Sequence, residues 1–99
     1  MKVKELISII NDNEEPFYSL SEVQFYLNKK SVQTINIDTN RDYSFATDIY
    51  KCTDGFVGIT GLYHVFSKCF SFSDFCFKCI ASEYEEVKVV TYKPKECHS

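Results

Sequence analysis

The sequence predicts an α+β fold, with one or two N-terminal helices packed on a four- to five-stranded antiparallel meander sheet. Three observations carry this expectation. Val3, Leu6, Ile7 and Ile10 recur at helical spacing near the start of the chain. From Val32 onward the pattern changes to alternation, the period of a half-buried strand. Asp54-Gly55 then separates two alternating runs, as a tight hairpin would.

Residues 2–12 make the first predicted helix, because Val3, Leu6, Ile7 and Ile10 form one apolar stripe. Asn11, Asp12 and Asn13 weaken its end, and Pro16 bars its continuation. Residues 19–29 are assigned to a second helix. Ser19 and Glu22 have capping-box spacing, Leu20, Val23 and Leu27 share a face, and Lys29 and Lys30 suit the negative end of the helix dipole. A strand competes here, since Phe17, Val23, Phe25 and Leu27 also alternate.

Strands are expected over residues 32–37, 43–52 and 56–66. In the second of these, Tyr43, Phe45, Thr47 and Ile49 fall on one side and Ala46, Asp48 and Tyr50 on the other. Gly58 and Gly61 inside the third imply a bulge, a bend or a close contact. A loop spans residues 67–74. Residues 75–84 fit a strand or a helical stripe; their Phe and Ile content favours a strand that turns at residues 83–86 into a last strand near residues 87–92. Residues 1–93 thus read as one domain and 94–99 as a frayed tail. The helix-then-meander order resembles the layout of cystatin-like folds. Unrelated functions share that layout, so it brings no functional residue with it.

Composition narrows the function classes. The net charge is −3, and it is local. Residues 1–22 hold Lys2 and Lys4 against Glu5, Asp12, Glu14, Glu15 and Glu22, which is +2 − 5 = −3. The remaining residues balance, so no basic stripe exists to follow a phosphate backbone, and direct nucleic-acid binding is disfavoured. No apolar run is long enough to span a membrane, and the acidic turn after the first helix lacks the pattern of a signal peptide. A cytoplasmic protein is expected, with its cysteines as thiols.

Those cysteines are Cys52, Cys69, Cys76, Cys79 and Cys97. Cys76-Phe77-Lys78-Cys79 has the spacing of half a zinc site or of a redox pair. Cys69, Cys52, His64 and the Cys97-His98 pair are the remaining donors, and none sits in a matching second knuckle. The two thiols of the motif can chelate together if the segment is helical, because they then share a face; in a strand they point apart. Structural thiols are the favoured reading, and no metal or cofactor is assigned. His64 reads as a half-buried sheet histidine. No nucleophile–base pair, functional carboxylate pair or phosphate loop is recognisable, so no catalytic residue is assigned.

Three function classes remain. The first is a non-catalytic protein–protein interaction module. Tyr43, Tyr50, Tyr63, Tyr84 and Tyr92 would supply anchors and Glu14, Glu15 and Glu22 would meet a basic partner surface. A homodimer fits the same class. A narrower version is an anti-CRISPR-like inhibitor, a phage-encoded protein occupying the surface of a bacterial defence nuclease. The second class is a small zinc-stabilised domain built on Cys76 and Cys79. The third is a small-ligand carrier or an enzyme of unrecognised type.

Overall fold

The computed structural model describes residues 1–66, 78–87 and 91–95. Two helices, α1 (Val3–Asn11) and α2 (Leu20–Leu27), precede five strands: β1 (Gln33–Thr39), β2 (Tyr43–Cys52), β3 (Gly55–Val65), β4 (Ile80–Val87) and β5 (Thr91–Pro94). The strands form one antiparallel sheet in the order β1-β2-β3-β4-β5, a meander without crossovers. The expected α+β arrangement, with both helices at the N-terminus, is what the chain adopts.

Each helix begins and ends for a local reason. The α1 N-terminus has no cap from its own side chains, and Asp54 of the β2–β3 turn supplies one, accepting the Val3 N–H at 2.8 Å. The same turn holds the chain before α1, as the Thr53 N–H donates to the Met1 carbonyl at 3.1 Å. The Ser19 hydroxyl caps α2 by accepting the Glu22 N–H at 3.2 Å, as the Ser-x-x-Glu spacing predicts. Asn28 closes α2 in the left-handed region at φ 53°.

The helices cover one face of the sheet. Val3, Leu6 and Ile10 of α1 and Leu20 and Val23 of α2 bury against Ala46, Tyr50, Val57, Ile59, Cys79 and Ala81. Each of the larger aliphatic side chains there contributes about 1.5–3 kcal/mol of transfer free energy. On the opposite face Ile35, Ile49 and Tyr84 form a smaller cluster, flanked by Phe56 and Tyr92. Two glycines make both layers possible. A Cβ on Gly61 would overlap the Cys79 sulfur and crowd Leu20, and one on Gly58 would overlap the Tyr84 ring. Of the bulge, bend or close contact expected at these glycines, a close contact is present at both, one on each face.

Two irregularities re-aim the strands. Between Ile35 and Asp38 of β1 the register with β2 slips by one residue, with Asn36 at φ 55°. In β3 the register runs from Phe45↔Leu62 to Ser44↔His64, so Tyr63 is an extra residue.

Two boundaries differ from the sequence expectation. Glu83–Glu86 is not a turn but the middle of β4, where Glu83 pairs with Val57 and Glu86 with Tyr92. A run of charged residues is tolerated in a strand with solvent on one side. The last strand continues through Pro94, and the Lys95 N–H donates to the Glu83 carbonyl at 3.0 Å, so the first residues assigned to a frayed tail are hydrogen-bonded. The helix-or-strand alternative for residues 75–84 is a strand from Ile80 onward; residues 75–77 lie outside the described residues.

A side chain ties α1 to β4. The Asn11 amide donates to the Ala81 carbonyl and its oxygen accepts the Ala81 N–H, both at 2.8 Å. A single carboxamide thus satisfies a strand residue beyond the reach of short β5. Asn11→Ala strands both backbone groups and should cost roughly 1–3 kcal/mol, read as a lowered urea midpoint at unchanged slope. An unchanged midpoint would remove the clamp from the account of stability.

Candidate functional site

The cysteine motif is only partly visible. Cys79 precedes β4, is fully buried, and its backbone N–H donates to the Phe17 carbonyl at 2.6 Å. Burial pushes its thiol up to about 12, with the charges of Glu22 and Asp48 adding to the shift. Cys52 is buried beside the β2–β3 turn, and burial raises its thiol as well. The thiolate is the reactive and metal-binding form, so both environments oppose that chemistry. Cys69, Cys76, Cys97 and His98 lie outside the described residues. Among the described residues no group of three or more His, Cys, Asp or Glu side chains is placed to hold a metal. His64 is exposed rather than half-buried. The extra residue Tyr63 reverses strand parity, which separates His64 from buried Leu62 and stacks it on the Tyr63 ring at 4.4 Å.

Of the buried polar residues, Ser44 and Asp48 lie on the helix-covered side and Thr47 on the other. Asp48 accepts a 2.6 Å hydrogen bond from the Thr34 hydroxyl. Burial raises its carboxyl above the ordinary 3.8, and hydrogen bonds from Thr34 and Ser31 only partly offset this. Tyr50 is fully buried, and its hydroxyl and that of Ser44 find no hydrogen-bond partner among the described residues. Burial, then the charges of Asp48 and Cys79, push the Tyr50 phenol up to about 12. The Lys29 ammonium lies 5.8 Å from the Tyr50 ring centroid.

The tyrosines expected as anchors do not form one surface. Tyr50 is in the core because β2 alternation puts it beneath the helices, which corrects its assignment as an anchor. Tyr84 is buried across Gly58 and is corrected likewise. Tyr92 is half-buried against the Phe56 ring at 5.1 Å, near the hairpin end of the β2–β3 ribbon. Tyr43, half-buried beside Phe45, and Tyr63, 37% exposed, are at the other end. Glu14, Glu15 and Glu22 are all exposed on the helical side of the molecule.

The exposed aromatic surface lies instead on α2. Phe25 is 89% exposed and Tyr26 55%. Phe17 meets the Tyr26 ring edge-on at 5.2 Å. An open groove of about 620 Å³ is lined by Phe17, Ser21, Glu22, Phe25 and Tyr26. On the other side of Tyr26 a second open groove of about 610 Å³ runs along α1, lined by Lys4, Glu5, Ser8, Ile9, Asp12 and Asn13. The sequence reading missed Phe25 and Tyr26. The signal was present: once Leu20, Val23 and Leu27 define the inward stripe, Phe25 and Tyr26 fall outside it. The competing strand alternation would have grouped Phe25 with Val23 and Leu27 instead.

These features define a small α+β protein with an exposed aromatic face on its helical layer, flanked by Glu22 on one side of Phe25 and by Lys29 and Lys30 on the other. Compared with protein-family models, curated proteins and solved structures, the chain matches none of them. No helix among the described residues is long and apolar enough to cross a membrane.

Two measurements check the buried chemistry. Iodoacetamide pulses followed by peptide mapping should alkylate Cys79 far more slowly in the native protein than after denaturation; equal rates would contradict its burial. Asp48 has a native pKa above its unfolded one, so the native state holds this proton more tightly. Its contribution to stability is present below 3.8 and lost as pH rises through the raised native value. Stability of Asp48→Asn relative to the parent should therefore increase over that window and level off above it. A pH-independent difference would exclude the desolvation account.

Proposed function

We propose that this chain is a non-catalytic protein–protein interaction module whose contact surface is the outer face of α2 with the adjoining flank of α1. The observation that carries the reading is Phe25, a phenylalanine 89% exposed beside the Tyr26 ring, with Phe17 packed behind it. Single exposed apolar residues are ordinary on protein surfaces, but a contiguous aromatic patch with a polar rim is the kind of surface that partners cover. Aromatic side chains supply much of the binding energy at interfaces because they bury large areas at low entropic cost. Exposed Glu14, Glu15 and Glu22 on the same helical layer favour a partner with a basic surface. An inhibitor that occupies the basic groove of a bacterial defence nuclease is one member of this class; its support is the small size and the net charge of −3 over residues 1–22. A cytoplasmic setting is part of the same proposal, since buried thiols such as Cys52 and Cys79 suit a reducing compartment.

The test is parallel affinity capture with the parent protein and Phe25→Ser, after both give the same circular dichroism and unfolding midpoint. A stoichiometric partner held by the parent and lost by the variant is expected. A partner retained by the variant would place the interface elsewhere, and recovery of no stoichiometric partner by either protein would count against the class.

A further inference from the structure

The first residues of the chain dock on the β2–β3 turn. The Val3 N–H donates to Asp54 Oδ1 at 2.8 Å. The Thr53 N–H and hydroxyl both donate to the Met1 carbonyl, at 3.1 and 3.3 Å. Gly55 lies against Val3, where an added Cβ would stand 3.2 Å from Val3 Cγ2. Its φ of 156° is one that residues with a side chain rarely adopt, so the turn demands glycine at this position. An exposed aspartate thus directly precedes a glycine, whereas Gly58 and Gly61 follow neither Asp nor Asn.

We propose that Asp54–Gly55 is a modification site that converts to an isoaspartyl linkage, and that docking of α1 holds this conversion in check. Glycine has no side chain to shield its backbone nitrogen, so that nitrogen is open to the neighbouring carboxyl group. In the first step the Gly55 nitrogen bonds to the Asp54 side-chain carboxyl carbon. One carboxyl oxygen leaves as water, with the amide hydrogen and a proton from solvent. Water then opens the resulting succinimide ring. Opening at the former backbone carbonyl gives isoaspartate; opening at the other carbonyl restores aspartate. In isoaspartate the chain runs through the former side chain, and the free carboxylate sits on Cα.

Ring closure needs the carboxyl carbon to swing onto the Gly55 nitrogen. In the folded chain the Val3 N–H holds one of its oxygens on α1, so the swing requires that bond to open. The reaction therefore starts from the state in which the N-terminus of α1 has lifted off the turn, a local opening of low cost relative to global unfolding. The product then acts as a latch. The backbone of the turn has gained a methylene and the carboxylate has moved, so the cap on Val3 is lost and α1 is left with an orphan N–H. The α2 surface takes no part in this chemistry.

The experiment is incubation of the intact chain at neutral pH and physiological temperature, native and in guanidinium chloride. Isoaspartate at position 54 is quantified by peptide mapping with electron-transfer fragmentation. The unfolded chain should convert at least about tenfold faster than the native one, because the native chain must first open. Val3→Pro removes the donor but suits the first helical position, and Lys2 before it is already extended at φ −92°, ψ 159°. This variant should convert roughly three- to tenfold faster than the parent, as loss of one hydrogen bond predicts. Val3→Ala keeps the N–H while losing more of the buried side chain, and should stay closer to the parent. The purified isoaspartyl chain should unfold at a lower urea midpoint. Equal conversion in native and unfolded chains would overturn the proposal, as would absence of isoaspartate from both. Val3→Ala converting as fast as Val3→Pro would overturn the role of the Val3 donor, and an unchanged midpoint in the isoaspartyl chain would overturn the latch.

Discussion

Helices of nine and eight residues are too short to persist alone in water, so α1 and α2 exist because the β2–β3 ribbon gives their apolar stripes a surface to bury. The ribbon in turn needs the helices, since Tyr50, Val57 and Ile59 would otherwise leave one whole face wet. This mutual dependence is reinforced at its margins by polar contacts. Asp54 caps α1 from the ribbon's turn, and the Asn11 carboxamide substitutes for a neighbouring strand at Ala81. Both join residues more than fifty positions apart in the chain, so they tie the layers together only once the fold has formed.

The same economy decides what remains outside. Two short helices present only a narrow inward stripe, and most side chains off that stripe face water. For α1 these are mainly charged or polar residues. For α2 they include Phe25 and Tyr26, which no element of the described chain covers. The candidate surface therefore follows from the fold's limited area. Placing Leu20 and Val23 in the core commits Phe25 to solvent, and Phe17, held near Cys79 by a backbone hydrogen bond, is left to pack on Tyr26.

The second sheet face solves its exposure differently. With no helix of the described residues above it, Ile49 is sheltered by Tyr84, whose ring lies across the vacant position at Gly58, with Phe56 and Tyr92 alongside. An aromatic ring laid over a strand glycine restores the contact that the missing side chain would have made. Tyrosines that alternate along predicted strands thus act here as a lid for their own sheet, which removes Tyr84 from the set available to a partner.

The α+β class, both helices and most of the meander were legible from residue order, because each rests on a short-range signal: period 3.6 in Val3, Leu6 and Ile10, period two in β2, Ser19 capping α2, and the turn before Gly55. Asp48 and Tyr50 on one side of β2 and Thr47 and Ile49 on the other followed from the pleat alone. The identity of the exposed residues was decided only by the tertiary structure. Alternation separates two faces of a strand without saying which one the helices will cover, so Tyr50 could read as an anchor when it is core. One inserted residue at Tyr63 turned His64 away from Leu62, and one glycine let Tyr84 fold down. The charge run at Glu83–Glu86 looked like a turn until pairing with β3 and β5 showed it to be strand. The contact surface on α2 became visible only when the inward stripe was known, because exposure is a property of what packs against a residue and not of the residue itself.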